Sequence, residues 1–359
     1  MNQNRVNKII QNMNENNLKQ ILVTSTASIF YLTGKWIEPG ERMLALYINS
    51  NGNTKFFVNA LFPIEEDLGV DMEVYSDSED PIERLIPFID ENEVLGIDKQ
   101  WPSHFLISLM NKNSKLKFKD GSSVVDEARM VKDNEEIELM IEASKVNDKA
   151  MEELIRDVIP KNITENKACK LLGDIYEKYE THEFSFYPLI AYGKNAAEPH
   201  HSSDDSKLEI GDSIILDIGG KTNFYCSDMT RTVFFGKPKE EYIKIYNTVL
   251  EANLKAIEAV KPGVRFCDVD KVARDVITKA GYGEYFTHRT GHNAGIDVHE
   301  FPDVGANNEM LIKEGMIFSI EPGIYIQGKV GVRIEDLVLV TKDGCKVLNS
   351  YPKELQIIE

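Results

Sequence analysis

Hydrophobic positions in the first ~125 residues come in short runs broken by polar turns, and around Arg129 this rhythm gives way to long helical periodicity. The runs ILVT (21–24), MLALYI (43–48) and KFFVNA (55–60) predict strands, and residues 80–89 predict a capped helix. That mixture, at such short spacing, is the pattern of an α/β domain. From Asp133 a long amphipathic helix is predicted. Asp133 and Glu136 stand in capping-box spacing, and apolar residues recur at Ile137, Met140, Ile141, Val146, Met151, Leu154 and Ile155. Further helices are predicted from Thr164 to about Tyr179, from about Lys239 to Val260 before Pro262-Gly263, and from Asp268 to Ala280 before Gly281. Strand-like runs lie between and after them, without internal repeats. The chain thus divides into a smaller N-terminal α/β domain, residues 1–128, and one α+β domain, residues 129–359.

Composition narrows the functions this pattern can serve. With 359 residues, 42% hydrophobic and 28% charged, the chain can build two substantial cores. A formal charge of −18 argues against nucleic acid and anionic membranes as partners, because phosphate would repel this surface. The opening MNQNRVNKIIQNMNENNLKQ has no apolar core of signal-peptide length, and no segment approaches ~18 uninterrupted apolar residues, so a cytoplasmic address is expected. Cys169, Cys226, Cys267 and Cys345 show no paired spacing and read as reduced core thiols.

Candidate chemistry concentrates in the second half. Ser213 to Gly220 is an apolar run with Asp217 in it, and Tyr225 to Phe235 is a second strand carrying Asp228. A spacing of eleven permits a hairpin, turning near Gly220 to Asn223, that brings both carboxylates to one place. Burying a carboxylate on an apolar strand is costly without a cation. Residues 288–300 then hold His288, His292 and His299, with small residues around His292 that let backbone approach a ligand closely. Five of the seven histidines (His200, His201, His288, His292, His299) fall between 200 and 299, which suits a shared polar site. The runs 317–326 and 331–340 each put a glutamate, Glu321 or Glu335, on an apolar strand. Arg333, two residues before Glu335, shares a strand face with it and could brace a ligand or anchor substrate; a surface ion pair is the plainer alternative. Four carboxylates and one imidazole suit two divalent cations with a hydroxide between them, the composition of a two-metal hydrolase.

The ordered set LDIGG, YCSDMTRT, TGHNAG, VHE, IEPGIY and VRIED resembles the pita-bread metallopeptidases: prolidases, Xaa-Pro aminopeptidases and methionine aminopeptidases. The stretch Arg129 to Ser144 and the domain before it are similar in layout to prolidase and aminopeptidase P, whereas methionine aminopeptidases lack that domain. The resemblance implies that Asp228, His292 and Glu321 hold one metal, Asp217 chelates a second, and Glu335 bridges both. A hydroxide between the ions would be the nucleophile, with Glu321 passing its proton to the leaving nitrogen. His200 and His299 match positions that stabilise the tetrahedral intermediate, and His288 matches a pocket position, although a structural role is equally open to it. His201 has no counterpart and reads as an exposed neighbour. The resemblance further implies short proline-containing peptides as substrates, Mn²⁺ as the metal with Co²⁺, Zn²⁺ or Fe²⁺ as alternatives, and a homodimer.

Two departures stand out. The usual Gly-His-Gly is Gly291-His292-Asn293 here, which adds a polar side chain beside a ligand. Where prolidases commonly carry an arginine for the carboxylate of a dipeptide, this chain has Asp303, and an acid there would disfavour dipeptides against longer Xaa-Pro peptides. Three other readings compete: a non-catalytic binding member of the fold, hydrolysis of a small molecule such as creatine, and aminopeptidase activity without a proline requirement. The complete acidic set argues against the first two, and the sequence excludes the third poorly.

Overall fold

In the computed structural model, which describes residues 1–359, the chain separates into two units, Met1–Arg129 and Met130–Glu359. The first is built on a mixed sheet of Gln20–Val23 (β1), Ala45–Asn49 (β2), Thr54–Asn59 (β3), Met72–Tyr75 (β4), Val94–Ile97 (β5) and Lys117–Asp120 (β6), in the order β4-β3-β2-β1-β5-β6. Its helices are Gln3–Glu15 (α1), Thr26–Thr33 (α2), Pro81–Leu85 (α3), Ser103–Lys112 (α4) and Ser122–Met130 (α5). Strand residues Leu22, Tyr47, Phe57 and Leu95 pack with Leu85, Phe105 and Leu109 from α3 and α4. The helix predicted over 80–89 starts where Asp80 caps it, but α3 is short and tightens into a narrower turn over Ile86–Phe88, where Pro87 supplies no N–H.

The second unit contains two larger sheets backed by helices and two smaller ones of three and two strands. Helices Asn134–Glu153 (α6) and Glu165–Lys178 (α7) share a core with Leu189–Tyr192 (β8), Ser213–Ile218 (β9) and Met229–Phe235 (β12). The strand Glu183–Phe184 (β7) precedes β8 and pairs with Gly220–Thr222 (β10), which pairs in turn with Tyr225–Cys226 (β11). Helices Glu240–Ala259 (α8) and Phe266–Lys279 (α9) share the other core with the strands that follow. These are Gly291–Asn293 (β13), Glu300–Val304 (β14), Ile317–Ile320 (β15), Gly323–Ile326 (β16), Val330–Arg333 (β17) and Asp336–Val340 (β18). No helix is long and apolar enough to cross a membrane.

From each larger sheet a long hairpin runs into a smaller one, breaking in the middle. In the first, β9 pairs with β12 through Ile218 and Met229, and beyond the break β10 pairs with β11. Its tip is the two-residue turn Asn223-Phe224, both at positive φ, three residues beyond the start of the predicted turn. In the second, β15 pairs with β18 through Ile320 and Asp336, and beyond the break β16 pairs with β17 through Gly323 and Arg333. Asp228, Glu321 and Glu335 therefore sit at strand breaks. The expectation that Asp228, Glu321 and Glu335 lie on strands is corrected, as is the shared strand face of Arg333 and Glu335. The chain changes sheets at Ile334, and both side chains still reach one cavity.

Helix α6 is capped by the box formed between Asp133 and Glu136, and it buries only part of the apolar stripe that its sequence suggests: Met140 and Met151, with Leu154 and Ile155 just beyond its end, are inside. Ile137, Ile141 and Val146 are half-buried, whereas Glu136, Ser144, Asn147 and Asp148 are inside. Three of these polar groups meet defined partners, whereas the Ser144 hydroxyl has none. Asn147 donates to the Ile218 carbonyl at 2.9 Å, Asp148 accepts from the Ser350 and Tyr351 amides, and Tyr225 donates to Glu136.

Candidate active site

A cavity of about 580 Å³ opens over the two broken hairpins, lined by Asp217, Asp228, His292, Glu321 and Glu335 together with His200, His288, His299, Arg289 and Arg333. All nine residues named from the sequence as site candidates are in that wall. The main chain fixes the acids. Asp217 pairs with Thr230 in the β9/β12 ladder, the Asp228 carbonyl accepts from Asn349 Nδ2, and the Glu321 and Glu335 amides donate to the Thr290 and Thr230 carbonyls. His292 lies on β13, where Gly291 lets that strand lie against Ser319; a Cβ there would collide with the Ser319 carbonyl.

Asp228, His292 and Glu335 offer ligand atoms that all lie within 4.8 Å of one another. His292 Nε2 stands 3.6 Å from Asp228 Oδ2 and 3.5 Å from Glu321 Oε1. Its Nδ1 is 3.2 Å from the Asn293 carbonyl, which can only accept, so Nδ1 carries the proton and Nε2 faces the carboxylates with a lone pair. Burial, followed by the nearby His299, lowers the His292 pKa to about 3, so the ring stays neutral. Burial also raises Asp228 and Glu335 well above the carboxylate range, each helped by neighbouring acids, and raises Glu321 to about 7. Asp217 Oδ1 is buried with no hydrogen-bond partner. A lone pair facing acids, carboxylates reluctant to ionise and an orphaned buried oxygen are the features that a divalent cation resolves. The donor set fits one.

Arg333 is buried, which rules out a surface ion pair. Its donors are committed to Asp217 Oδ2 at 2.6 Å, the Tyr325 hydroxyl at 2.9 Å and Thr230 Oγ1 at 3.1 Å. Thr230 Oγ1 in turn donates to Glu335 at 2.8 Å. His288 is tied as firmly. Its Nδ1 donates to the Arg289 carbonyl at 2.7 Å and its Nε2 accepts from Tyr325 at 2.9 Å, while burial holds its pKa near 4. His288 lines the cavity with both ring nitrogens bonded to the protein, and Arg333 commits three of its five N–H donors there.

His201 is corrected from an exposed neighbour to an anchored residue. Its side chain is 10% exposed and meets Glu165 Oε2 at 2.8 Å. Glu165, wholly buried at the start of α7, also accepts from the Tyr192 and Asp204 amides and from Asn195 Nδ2, so one carboxylate gathers the loop that presents His200 to the cavity. Asn293, the polar residue beside His292, faces away from the cavity. It is buried outside the cavity wall and donates to the Pro302 carbonyl at 3.0 Å. Asp303 is half exposed, outside that wall, and 2.5 Å from Arg289 Nη1, so its charge is compensated. The four cysteines are free thiols, with Cys169 and Cys226 buried and Cys267 and Cys345 only partly so.

Residues 138–342 match the profile of Metallopeptidase family M24, and residues 5–131 match that of the Creatinase/Prolidase N-terminal domain. The chain belongs to metallopeptidase family M24. This M24 enzyme is 36% identical to an uncharacterized peptidase of Staphylococcus aureus over 97% of its own length and 99% of the relative's. Its fold is that of a prolidase from Thermococcus sibiricus (TM-score 0.94, 34% identity, 100% and 99% of the two chains) and a dipeptidase from Pyrococcus horikoshii (TM-score 0.91, 37% identity, 99% and 100%). The protein is therefore a metal-dependent peptidase that works with divalent ions, an α+β pita-bread domain preceded by a smaller α/β domain.

Tyr325, Thr230, Glu165 and Arg289 escaped the reading of the sequence. Tyr325 and Thr230 lie inside the quoted motifs IEPGIY and YCSDMTRT, so their positions were in view. Glu165 carried no local signal.

Proposed function

We propose that this M24 peptidase is dinuclear and hydrolyses the Xaa-Pro bond at the N-terminus of dipeptides or short peptides. The observation that carries this reading is the convergence of Asp217, Asp228, His292, Glu321 and Glu335 on one cavity, with Asp217 Oδ1 and the lone pair of His292 Nε2 lacking any donor from the protein. Asp228, His292 and Glu321 would hold one ion, Asp217 the other, and Glu335 both; Mn²⁺ is the metal we infer from the resemblance. Such ions supply Lewis acidity that brings the pKa of a water to near neutrality and polarises the scissile carbonyl.

The rest is the work of side chains. Water oxygen bonds to the carbonyl carbon, Glu321 takes the proton from that water and delivers it to the imide nitrogen, and the C–N bond breaks. His200 and His299, both on the cavity wall, donate to the oxygen that becomes negative. Phe186, Tyr187, Pro188 and Leu189 form an apolar side of the cavity suited to a pyrrolidine ring. Arg333 and His288 position Asp217 and Tyr325. We infer a homodimer from the resemblance alone, and light scattering tests it.

Metal-stripped protein, assayed with and without Mn²⁺ on Ala-Pro, Ala-Pro-Ala and Ala-Ala-Ala, tests the proposal. Mn²⁺-dependent cleavage confined to the proline substrates supports it, and equal cleavage of Ala-Ala-Ala would replace it with a general aminopeptidase.

A further inference from the structure

Outside the cavity wall lies a buried ion pair. Lys132, the third residue of the second unit, donates to Glu300 Oε2 at 3.0 Å, and the two side chains are 1% and 6% exposed. Neither residue lines the cavity. Taking two charges out of water is costly, and an apolar pair of the same size often serves stability as well. What an ion pair adds to packing is direction, because a charged hydrogen bond fixes the carboxylate that accepts it.

Both ends of the pair are anchored. The Lys132 amide donates to the Gly315 carbonyl at 2.9 Å, next to the bridge between Val131 and Met316, so the lysine is fixed to the turn before β15. Glu300 begins β14, and its other oxygen, Oε1, accepts from the Asp297 amide at 3.2 Å. The same carboxylate lies over Gly295, where a Cβ would come within 2.7 Å of it. Residues 295–300 thus close around one carboxylate. The Gly295 amide donates to the Asp297 carbonyl at 3.0 Å, and the Gly295 carbonyl accepts from the Cys226 amide at 2.8 Å.

That loop carries His299. Its ring lines the cavity and stands edge-on to the His292 ring, with centroids 4.3 Å apart and planes at 75°. No hydrogen bond to the protein holds the His299 imidazole, so its aim depends on the loop beneath it and on the ring beside it. We propose that Lys132, acting through Glu300, is a positioning residue that aims His299 at the oxygen on which negative charge develops. This rests on the role given to His299 in the Xaa-Pro reading and deepens it, because it names what holds that donor in place.

The test is a double-mutant cycle on Ala-Pro hydrolysis by Mn²⁺-loaded protein, joined to a readout that requires no turnover. Lys132→Met should lower kcat by about 10- to 100-fold, the scale of a catalytic group misplaced by about 1 Å, with KM and bound Mn²⁺ close to the wild-type values. In a His299→Ala background the same substitution should cost less than about 2-fold, because the group that it aims is gone. Undiminished kcat in Lys132→Met, or equal losses in both backgrounds, overturns the proposal. If the lone buried carboxylate keeps Lys132→Met from folding, Lys132→Met/Glu300→Gln, with neither charge left inside, takes its place under the same expectations. The second readout is the nuclear magnetic resonance of Zn²⁺-loaded protein labelled with carbon-13 at histidine Cε1, in which the His299 signal is the one missing from His299→Ala. It should shift in Lys132→Met while the His104 signal stays. A shift in a protein that cleaves no Xaa-Pro bond supports the positioning by Lys132 while refuting the proposed activity. An active enzyme whose His299 signal ignores Lys132 overturns this inference and leaves the activity standing.

Discussion

Asn147 and Asn253 do the same work on opposite sides of the catalytic unit: each reaches from a helix to carbonyls left free where a hairpin breaks. Asn147, on α6, donates to Ile218 O at 2.9 Å and accepts from Tyr176 at 2.5 Å. Asn253, on α8, donates to Ile320 O at 2.9 Å and Ile334 O at 3.3 Å and accepts from Lys353 at 3.0 Å. The breaks that release the acids from the strands are thus sustained by two buried amides. Asn147→Ala should cost about 1–3 kcal/mol, the penalty for an orphaned buried carbonyl, and Asn253→Ala more, because two carbonyls lose their donor. Urea unfolding of metal-free protein measures this, and losses below about 0.5 kcal/mol, typical of neutral surface changes, would refute the role.

Buried Arg333 and half-buried Asp217 form a pair at 2.6 Å, so removing the arginine acts on the acid before it acts on the substrate. Arg333→Met should destabilise the protein by about 3–5 kcal/mol, the cost of leaving one buried charge alone. It should also lower bound Mn²⁺ measured by elemental analysis. A variant with full metal content and only a raised KM would make Arg333 a substrate contact instead.

His200 and His201 are adjacent but should fail differently. His200→Ala should lower kcat/KM by about 100-fold or more, the scale of losing one oxyanion donor, with stability nearly intact. His201→Ala leaves buried Glu165 without one of its donors and should lower stability by about 1–3 kcal/mol with a smaller kinetic effect. Parallel kinetics and thermal melts separate the two, and identical profiles would contradict the assignment.

How far the sequence discloses this site depends on which interactions are local. Asp217, Glu321 and Glu335 are legible because each interrupts an apolar run with an acid, as at Leu216-Asp217 and Ile320-Glu321, and His292 because small residues surround it. The strand breaks are hidden. Pro322-Gly323 marks one, but nothing near Ile334 signals a change of sheet, because the group that satisfies its carbonyl is Asn253, 81 residues earlier. The inward face of α6 is only half legible, since beside Met140, Ala143, Ala150 and Met151 it buries Glu136, Ser144, Asn147 and Asp148, which hydrophobic periodicity assigns to solvent. His200 and His201 are chemically identical in the sequence, and Glu165 distinguishes them only in three dimensions.

Metal removal should make stability depend on pH with a definite sign. Burial raises Glu321 to about 7 and Asp228 and Glu335 higher than ordinary carboxylates, so the folded metal-free state holds protons that the unfolded chain has released. That contribution is complete below the unfolded carboxylate range and is lost as pH rises through the folded values. His288, His292 and His299 are shifted down and oppose it only below about 6.5, the ordinary histidine value, which makes the interval from about 7 to 9 the informative one. There the metal-free Tm should fall with rising pH, and the Tm gain on adding Mn²⁺ should grow. A metal-free Tm that is flat across this interval would contradict the buried-acid account.

The central claim, two catalytic ions held by these five residues, is tested most directly by titrating Mn²⁺ into metal-stripped protein while following bound metal and Ala-Pro hydrolysis together, with Asp217→Asn alongside. The account predicts two ions per chain, activity that appears with the second, and a variant that binds one ion and stays inactive. Full hydrolysis with a single ion bound, or in Asp217→Asn, would contradict it.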